Sequence, residues 1–158
     1  RKRYAGVVDG EGGVEFVGME VVRRDWTELA KNVQRELYLR LFDDGPVLDF
    51  LRGYVRDLRS GELDDHLVYR KGLRKALHEY TAITPPHVVA ARKAKPPSRV
   101  VSYVITTAGP EPLDNVQHEL DREHYVQRQV RPVAEPVLDV MGLNFDRAIG
   151  DDRQLGLF

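Results

Sequence analysis

Between Trp26 and Leu58 the apolar residues fall at helical spacing in two runs, divided by Asp43-Asp44-Gly45-Pro46. No other pattern in the chain constrains the fold as strongly. Trp26, Leu29, Ala30, Val33, Leu37 and Leu41 recur on one face of a helix, and Leu48, Leu51, Val55 and Leu58 do the same. Asp25-Trp26-Thr27-Glu28 offers an N-cap with an acid three positions on, which predicts a helix from about 25 to 42. Asp43-Asp44-Gly45 ends it. Pro46 suits the first turn of a second helix, where its missing N–H costs nothing. Ser60-Gly61 closes that helix. A short connection makes the two helices antiparallel. Their aromatics (Trp26, Tyr38, Phe42, Phe50 and Tyr54) read as core.

The flanking segments add a smaller β component. Tyr4 to Val8 and Val14 to Val22 are rich in β-branched and aromatic residues, with Asp9-Gly10-Glu11-Gly12-Gly13 between them. This is a β-hairpin pattern. No Gly-Lys-Ser/Thr follows those glycines, so a phosphate-cradling loop is not indicated. Leu67-Val68-Tyr69 reads as a short strand, Leu73 to Tyr80 as one or two helical turns, and Val88 to Lys93 as a helix start after Thr84-Pro85-Pro86-His87. Val100 to Thr106 alternates as a strand does, and Gly109-Pro110-Glu111-Pro112 reads as a loop. From about Asp114 to Met141 the pattern is helical, broken by Pro132 and Pro136 into two or three helices. Asn144 to Ile149 adds a turn. The fold class is α+β and mostly helical. It divides into a hairpin at 1–24, a helical unit with a small β element at 25–149, and a tail at 150–158.

Composition removes several functions. Apolar residues make up 42% of the 158, enough for a core and too many for wholesale disorder. No cysteine is present, which excludes disulfides, thiolate metal sites and a cysteine nucleophile. No apolar run reaches the ~18–20 residues of a membrane-spanning helix. Arg1-Lys2-Arg3 imitates the start of a signal peptide, but Asp9 to Gly13 arrives before an apolar stretch can form. His118-Glu119-Leu120-Asp121-Arg122 begins like a zinc-protease helix, yet its fifth residue is Arg and the next histidine, His124, points to another face. Ser60, Ser98 and Ser102 lack a nucleophile-elbow context. Asp43-Asp44, Asp64-Asp65 and Asp151-Asp152 sit in turns or linkers, not where a two-metal centre would need them. No metal site and no catalytic residue is expected.

The net charge of −1 conceals a strong asymmetry. From His66 to Arg99 eight Lys/Arg face one acid, Glu79, so this stretch carries +7 and the remainder −8. Such separation suits a surface turned toward a polyanion, as well as a merely solvated basic face. Arg70, Lys71, Arg74 and Lys75 lie around Gly72, where the backbone can approach a ligand closely. His87 opens a helix whose N-terminus suits phosphate, and Arg92 and Lys93 follow. No exposed aromatic ladder is evident, which favours binding to duplex backbone over stacking on single strands. At the chain start, Arg1, Lys2 and Arg3 precede Tyr4 and a strand, which can hold cations at a fixed place beside a polyanion. With nothing before it, this cluster reads as a point inside a longer protein.

Taken in order, these segments resemble the C-terminal part of a B-family DNA polymerase, most closely a bacterial one. Arg1-Lys2-Arg3-Tyr4-Ala5-Gly6 is similar to the family's Lys-Lys-Arg-Tyr motif at the end of the palm. Phe16 to Trp26 resembles the passage from palm to thumb. Leu67 to Leu73, Tyr80 and Pro86-His87-Val88 resemble the thumb's duplex-contacting stretch. Gly109 to Leu113, Asp121 to Tyr125 and Gln129 to Val133 resemble its closing helices. The likeness runs essentially end to end. It implies that Lys2 reaches the primer-terminal minor groove, that Tyr4 supports the primer strand, and that Lys71, Arg74, Tyr80 and His87 lie where the thumb grips duplex. Minor-groove acceptors are nearly common to all base pairs, so the Lys2 contact would check shape without reading sequence. Arg1 stands where the family has Lys, and Arg favours bidentate contacts, so its role is open.

The family's catalytic aspartates lie in palm motifs of the Asp-x-x-Ser-Leu-Tyr-Pro-Ser and Asp-Thr-Asp types, neither of which occurs here. The resemblance therefore implies a duplex-binding segment, inactive alone. The remaining palm would hold magnesium and carry out template-dependent DNA synthesis in replication or repair, in the bacterial cytoplasm at the nucleoid. Gln154, Leu155, Leu157 and Phe158 resemble the terminal peptide that docks on the bacterial sliding clamp. Each buried apolar side chain is worth ~1.5–3 kcal/mol, offset by ordering the tail, for docking of about micromolar strength. The alternative is a stand-alone duplex-binding or clamp-interacting adaptor.

Overall fold

Thr27 opens the first helix and ties it to the far end of the chain. A computed structural model describes residues 4–7, 14–17, 27–81, 84–94 and 99–150. Helix α1 is Glu28–Phe42, and the Thr27 side chain accepts the Ala30 N–H as its cap. The cap is thus Thr27 rather than Asp25. Gln129 Oε1 explains the choice: it accepts from the Thr27 backbone N–H at 3.1 Å and from the Thr27 hydroxyl at 2.7 Å, with both residues buried. Asp43 ends α1, and Asp44 takes the left-handed conformation that turns the chain.

Helix α2, Val47–Ser60, begins after Pro46 and ends on Gly61 at φ +95°. It runs antiparallel to α1. Tyr54, midway along α2, donates to the carbonyl of Leu29, early in α1, while Arg40, late in α1, lies 4.2 Å over the ring of Phe50, early in α2. Leu29, Val33 and Leu37 meet Leu51, Val55 and Leu58 in the core. Phe42 departs from the core expectation. It is exposed, at the last residue of α1, with its ring 6.1 Å from that of Tyr38 one turn earlier.

Strand β1, Tyr4–Val7, pairs antiparallel with β2, Val14–Val17, as a hairpin. A second antiparallel sheet has the order β3 (Tyr69–Gly72), β4 (Val100–Thr106), β5 (Gly109–Pro112). The strand expected at 67–69 therefore starts where that run ends: Leu67 is buried ahead of it, and the strand itself carries Arg70 and Lys71. Residues 109–112 form a strand, not a loop. Proline is tolerated there because β5 is an edge strand and Pro110 and Pro112 face Ile105 and Tyr103. Ile105 turns its N–H and carbonyl to the other side, toward Tyr125 and Asp121, so no ladder bond is asked of either proline. Beyond the end of β3, residues 119–121 take over that side of β4: Thr107 N–H reaches Glu119 O, and Asp121 N–H reaches Ile105 O. This pairing, with a short 3-10 turn at Leu113–Asn115, replaces the helix expected from Asp114.

Helix α3, Pro86–Lys93, packs on β4 and β5. Helix α4, Arg122–Tyr125, is capped by the Asp121 side chain and runs into a π turn at Val126–Val130, where the Arg131 N–H bonds Val126 O. Helix α5, Arg131–Val140, holds Pro132 in its first turn and Pro136 within it. Pro132 follows the wide turn directly, at the start of α5, where a missing N–H is tolerated, and the helical path continues through it. Helix α6, Phe145–Ala148, is capped by Asn144 and held to α2 by Arg52 Nε on Ala148 O at 2.7 Å. Two forks join α2 and its exit to α4: Arg59 with Glu123 and Arg122 with Asp64. Among the described residues no helix is long and apolar enough to cross a membrane.

Candidate functional site

The densest cationic surface among the described residues is built by β3 and the segment after it. Arg70 and Lys71 are exposed on β3, where successive side chains leave on opposite faces. Arg74 and Lys75 follow, exposed, beyond Gly72. The chain then folds into an arch. Leu73 N–H bonds Arg99 O at 2.7 Å, Arg74 N–H bonds the Tyr80 hydroxyl at 3.1 Å, and a 3-10 turn spans Leu77–Glu79. Glu79, the single acid of the basic stretch, accepts the Ala76 N–H at 3.2 Å. Leu73, Ala76 and Leu77 line an open hollow of about 640 Å³, together with Arg74, Lys75, His78 and Arg99.

The cationic residues singled out from the sequence separate into two groups. The guanidinium of Arg92 turns to the arch itself, with Nη2 at 2.8 Å from Tyr80 O and 3.4 Å from Leu77 O. Lys93 donates to Pro110 O at 2.8 Å, tying α3 to β5. Lys75 Nζ lies 4.8 Å over the Tyr80 ring. His87 is only 5% exposed and meets the Tyr80 ring edge-on at 6.2 Å. Burial, then the charge of Lys71, lowers its pKa, so it packs as a neutral imidazole. Its place is under the surface rather than on it: Pro86 is exposed, while His87 and Val88 form the buried face of the first turn of α3. Arg99 joins the cationic set through its bond to Leu73. The signal for it was the β3–β4 register, which sets Gly72 opposite Val100. Tyr4 lies in β1, paired with Val17. Arg1, Lys2, Arg3, Gln154, Leu155, Leu157 and Phe158 lie outside the described residues.

The remaining polar clusters do structural work. Tyr69 stacks on Tyr103 and Tyr125, and its hydroxyl meets His124 Nε2 at 2.9 Å. Tyr125 is buried, and its hydroxyl accepts the Ile105 N–H at 2.9 Å where the β3 ladder stops. Burial raises its pKa. The His118 ring engages Glu111, which also accepts from the Gln117 and His118 N–H groups. Burial alone would raise the Glu111 carboxyl, but those three partners outweigh it and hold it at about 2. His118 and His124 therefore serve separate clusters. Among the described residues no group of three His, Cys, Asp or Glu gathers to hold a metal ion. Magnesium, which the resemblance implies for the larger enzyme, has no ligand set in them.

Comparison with known proteins agrees with the order of the motifs. The family model described as DNA polymerase family B matches residues 1–139. DNA polymerase II of Escherichia coli (strain K12) is 45% identical over all of this chain and 22% of its own length. A DNA polymerase of Thermococcus kodakarensis is 30% identical over 99% of this chain and 10% of its own. The chain thus spans about a fifth of the first relative and a tenth of the second. The family B DNA polymerase of the hyperthermophilic archaeon Pyrobaculum calidifontis superposes with a TM-score of 0.73 at 30% identity, over 91% of this chain and 21% of that one. With the family model covering most of its length and the same arrangement in a solved relative, this chain belongs to family B of the DNA polymerases.

Proposed function

We propose that this segment is the end of the palm and the thumb of such a polymerase, and that it grips the primer–template duplex while the remaining palm carries out metal-assisted nucleotidyl transfer with magnesium. One observation carries the reading. Arg70, Lys71, Arg74, Lys75 and Arg99 lie on adjoining elements, and the only acid in their stretch has its carboxylate turned to its own backbone. Cations so placed can neutralise successive phosphates without reading bases, which suits an enzyme that works on any sequence. Lys2 and Tyr4 belong, on this reading, beside the primer end. Gln154, Leu155, Leu157 and Phe158 would dock the polymerase on the bacterial sliding clamp.

Fluorescence anisotropy with a primer–template duplex tests the grip. Affinity should fall steeply with salt, by roughly 0.9 logarithmic unit per logarithmic unit of salt for each phosphate neutralised. Lys71→Ala with Arg74→Ala should weaken binding about equally for unrelated sequences and flatten the slope by roughly two. Binding that is indifferent to salt would refute the phosphate grip.

A further inference from the structure

The arch from Leu73 to Tyr80 is held at three places, the first of them just past the ends of β3 and β4. Its first end bonds Arg99 O through Leu73 N–H at 2.7 Å. Its middle is closed by the Tyr80 hydroxyl on Arg74 N–H at 3.1 Å. Its far end is caught from α3, where Arg92 Nη2 donates to the carbonyls of Tyr80 and Leu77, and Nη1 approaches Thr84 Oγ1 at 3.5 Å. The Tyr80 ring is in turn fixed by the edge of His87 and lies against Lys75. Nη2 alone serves both backbone carbonyls while Nη1 points at Thr84, so the planar guanidinium is oriented by three acceptors at once; a lysine, shorter and with its donors on one nitrogen, cannot set donors at all three places.

We propose that Arg92 and Tyr80 are positioning residues of the basic arch: they hold residues 73–80 in the conformation that presents Arg74 and Lys75 to an anionic backbone, instead of contacting that backbone themselves. This rests on the duplex-gripping reading above and changes the part played by two of the residues expected to contact DNA. Arg92 counts as a brace, and the charges left for phosphate are Arg74, Lys75 and Arg99 with one of the two β3 cations, since Arg70 and Lys71 leave the strand on opposite faces. Freeing the arch disperses Arg74 and Lys75 over many conformations, so their charges remain while their binding costs more ordering.

Two measurements on the full chain test this, and the first needs no DNA. In amide hydrogen exchange read by NMR, Tyr80→Phe and Arg92→Lys should each release the Arg74 N–H, while the amides of α1 and α2 keep their protection. In anisotropy with a primer–template duplex, Arg92→Lys should weaken binding nearly as much as Arg92→Ala, by roughly three- to tenfold for the loss of one or two hydrogen bonds. Tyr80→Phe should weaken it similarly although no charge is lost. An Arg74 amide that stays protected in both variants would overturn the brace. So would an Arg92→Lys chain that binds duplex as the parent does while Arg92→Ala does not, since a direct phosphate contact needs only the charge. If the parent chain binds no duplex but the exchange results hold, the brace stands and the duplex reading fails.

Discussion

Replacing Gln129 by alanine should destabilise the chain more than any exposed substitution, and the cost can be worked from two hydrogen bonds. Gln129 Oε1 accepts from Thr27 N–H at 3.1 Å and from Thr27 Oγ1 at 2.7 Å. Thr27 is 1% exposed and Gln129 5% exposed, so water cannot readily replace the lost acceptor. A buried donor left unsatisfied costs about 1–3 kcal/mol. Two donors, with some relaxation of the site, give about 3 kcal/mol. For a chain of this length that lowers Tm by roughly 6–12 °C. Urea unfolding of the parent, Gln129→Ala, Thr27→Ala and the double variant forms a cycle. Thr27→Ala alone should cost about 1–2 kcal/mol, because Thr27 Oγ1 also caps Ala30 N–H. Once Thr27 has lost its hydroxyl, Gln129→Ala should cost less, with a coupling of about 1 kcal/mol or more. Strict additivity, or a Gln129→Ala cost below about 0.5 kcal/mol, would refute the claim that this pair fixes the start of α1.

Three further outcomes are expected. Tyr125→Phe strips the Ile105 N–H of its acceptor and should cost about 1–3 kcal/mol in chemical denaturation, with the fold unchanged by circular dichroism. Glu111 has a carboxyl held at about 2, below its ordinary 4.5, so the folded chain binds fewer protons than the unfolded one; the stability from this group is complete above 4.5 and is lost as pH falls toward 2, and Glu111→Gln should flatten that part of a stability–pH curve measured by urea titration. Gly61→Ala should cost about 1 kcal/mol or more, read as a lower denaturation midpoint, because φ is +95° and the new Cβ would meet Arg122 Nη2 at 3.3 Å, beside its fork with Asp64.

Some of the structure was legible because it is local. The α1 and α2 stripes follow from spacing, and Gly61 ends α2 because its left-handed conformation is one that residues with a Cβ rarely adopt. Asn144 caps α6 through its own side chain. Other parts depended on partners far along the chain. Asp25 and Thr27 are both competent caps, and Gln129 decides between them. Residues 109–112 look like a loop until the side of β4 they meet proves to ask no donor of their prolines. Residues 119–121 leave helical periodicity because β4 offers them open backbone groups beyond β3. The candidate site divides in the same way. Arg70, Lys71, Arg74 and Lys75 were visible as a cluster, but a charge count cannot tell a free cation from one already engaged.

What the sequence by itself determined is the pair of helices, the segregation of positive charge into residues 66–99, and membership of family B through an ordered set of motifs spanning the chain. Those depend on spacing, composition and order, which need no partner to be read. Tertiary structure alone decided how the cations are used. It turned Arg92 and Lys93 onto carbonyls, placed His87 beneath Tyr80, and brought Arg99 beside the arch. The physical reason is that a hydrogen bond or a burial is a relation between residues. A lysine or arginine binds whichever acceptor the fold sets before it, and only the packed chain fixes which acceptor that is.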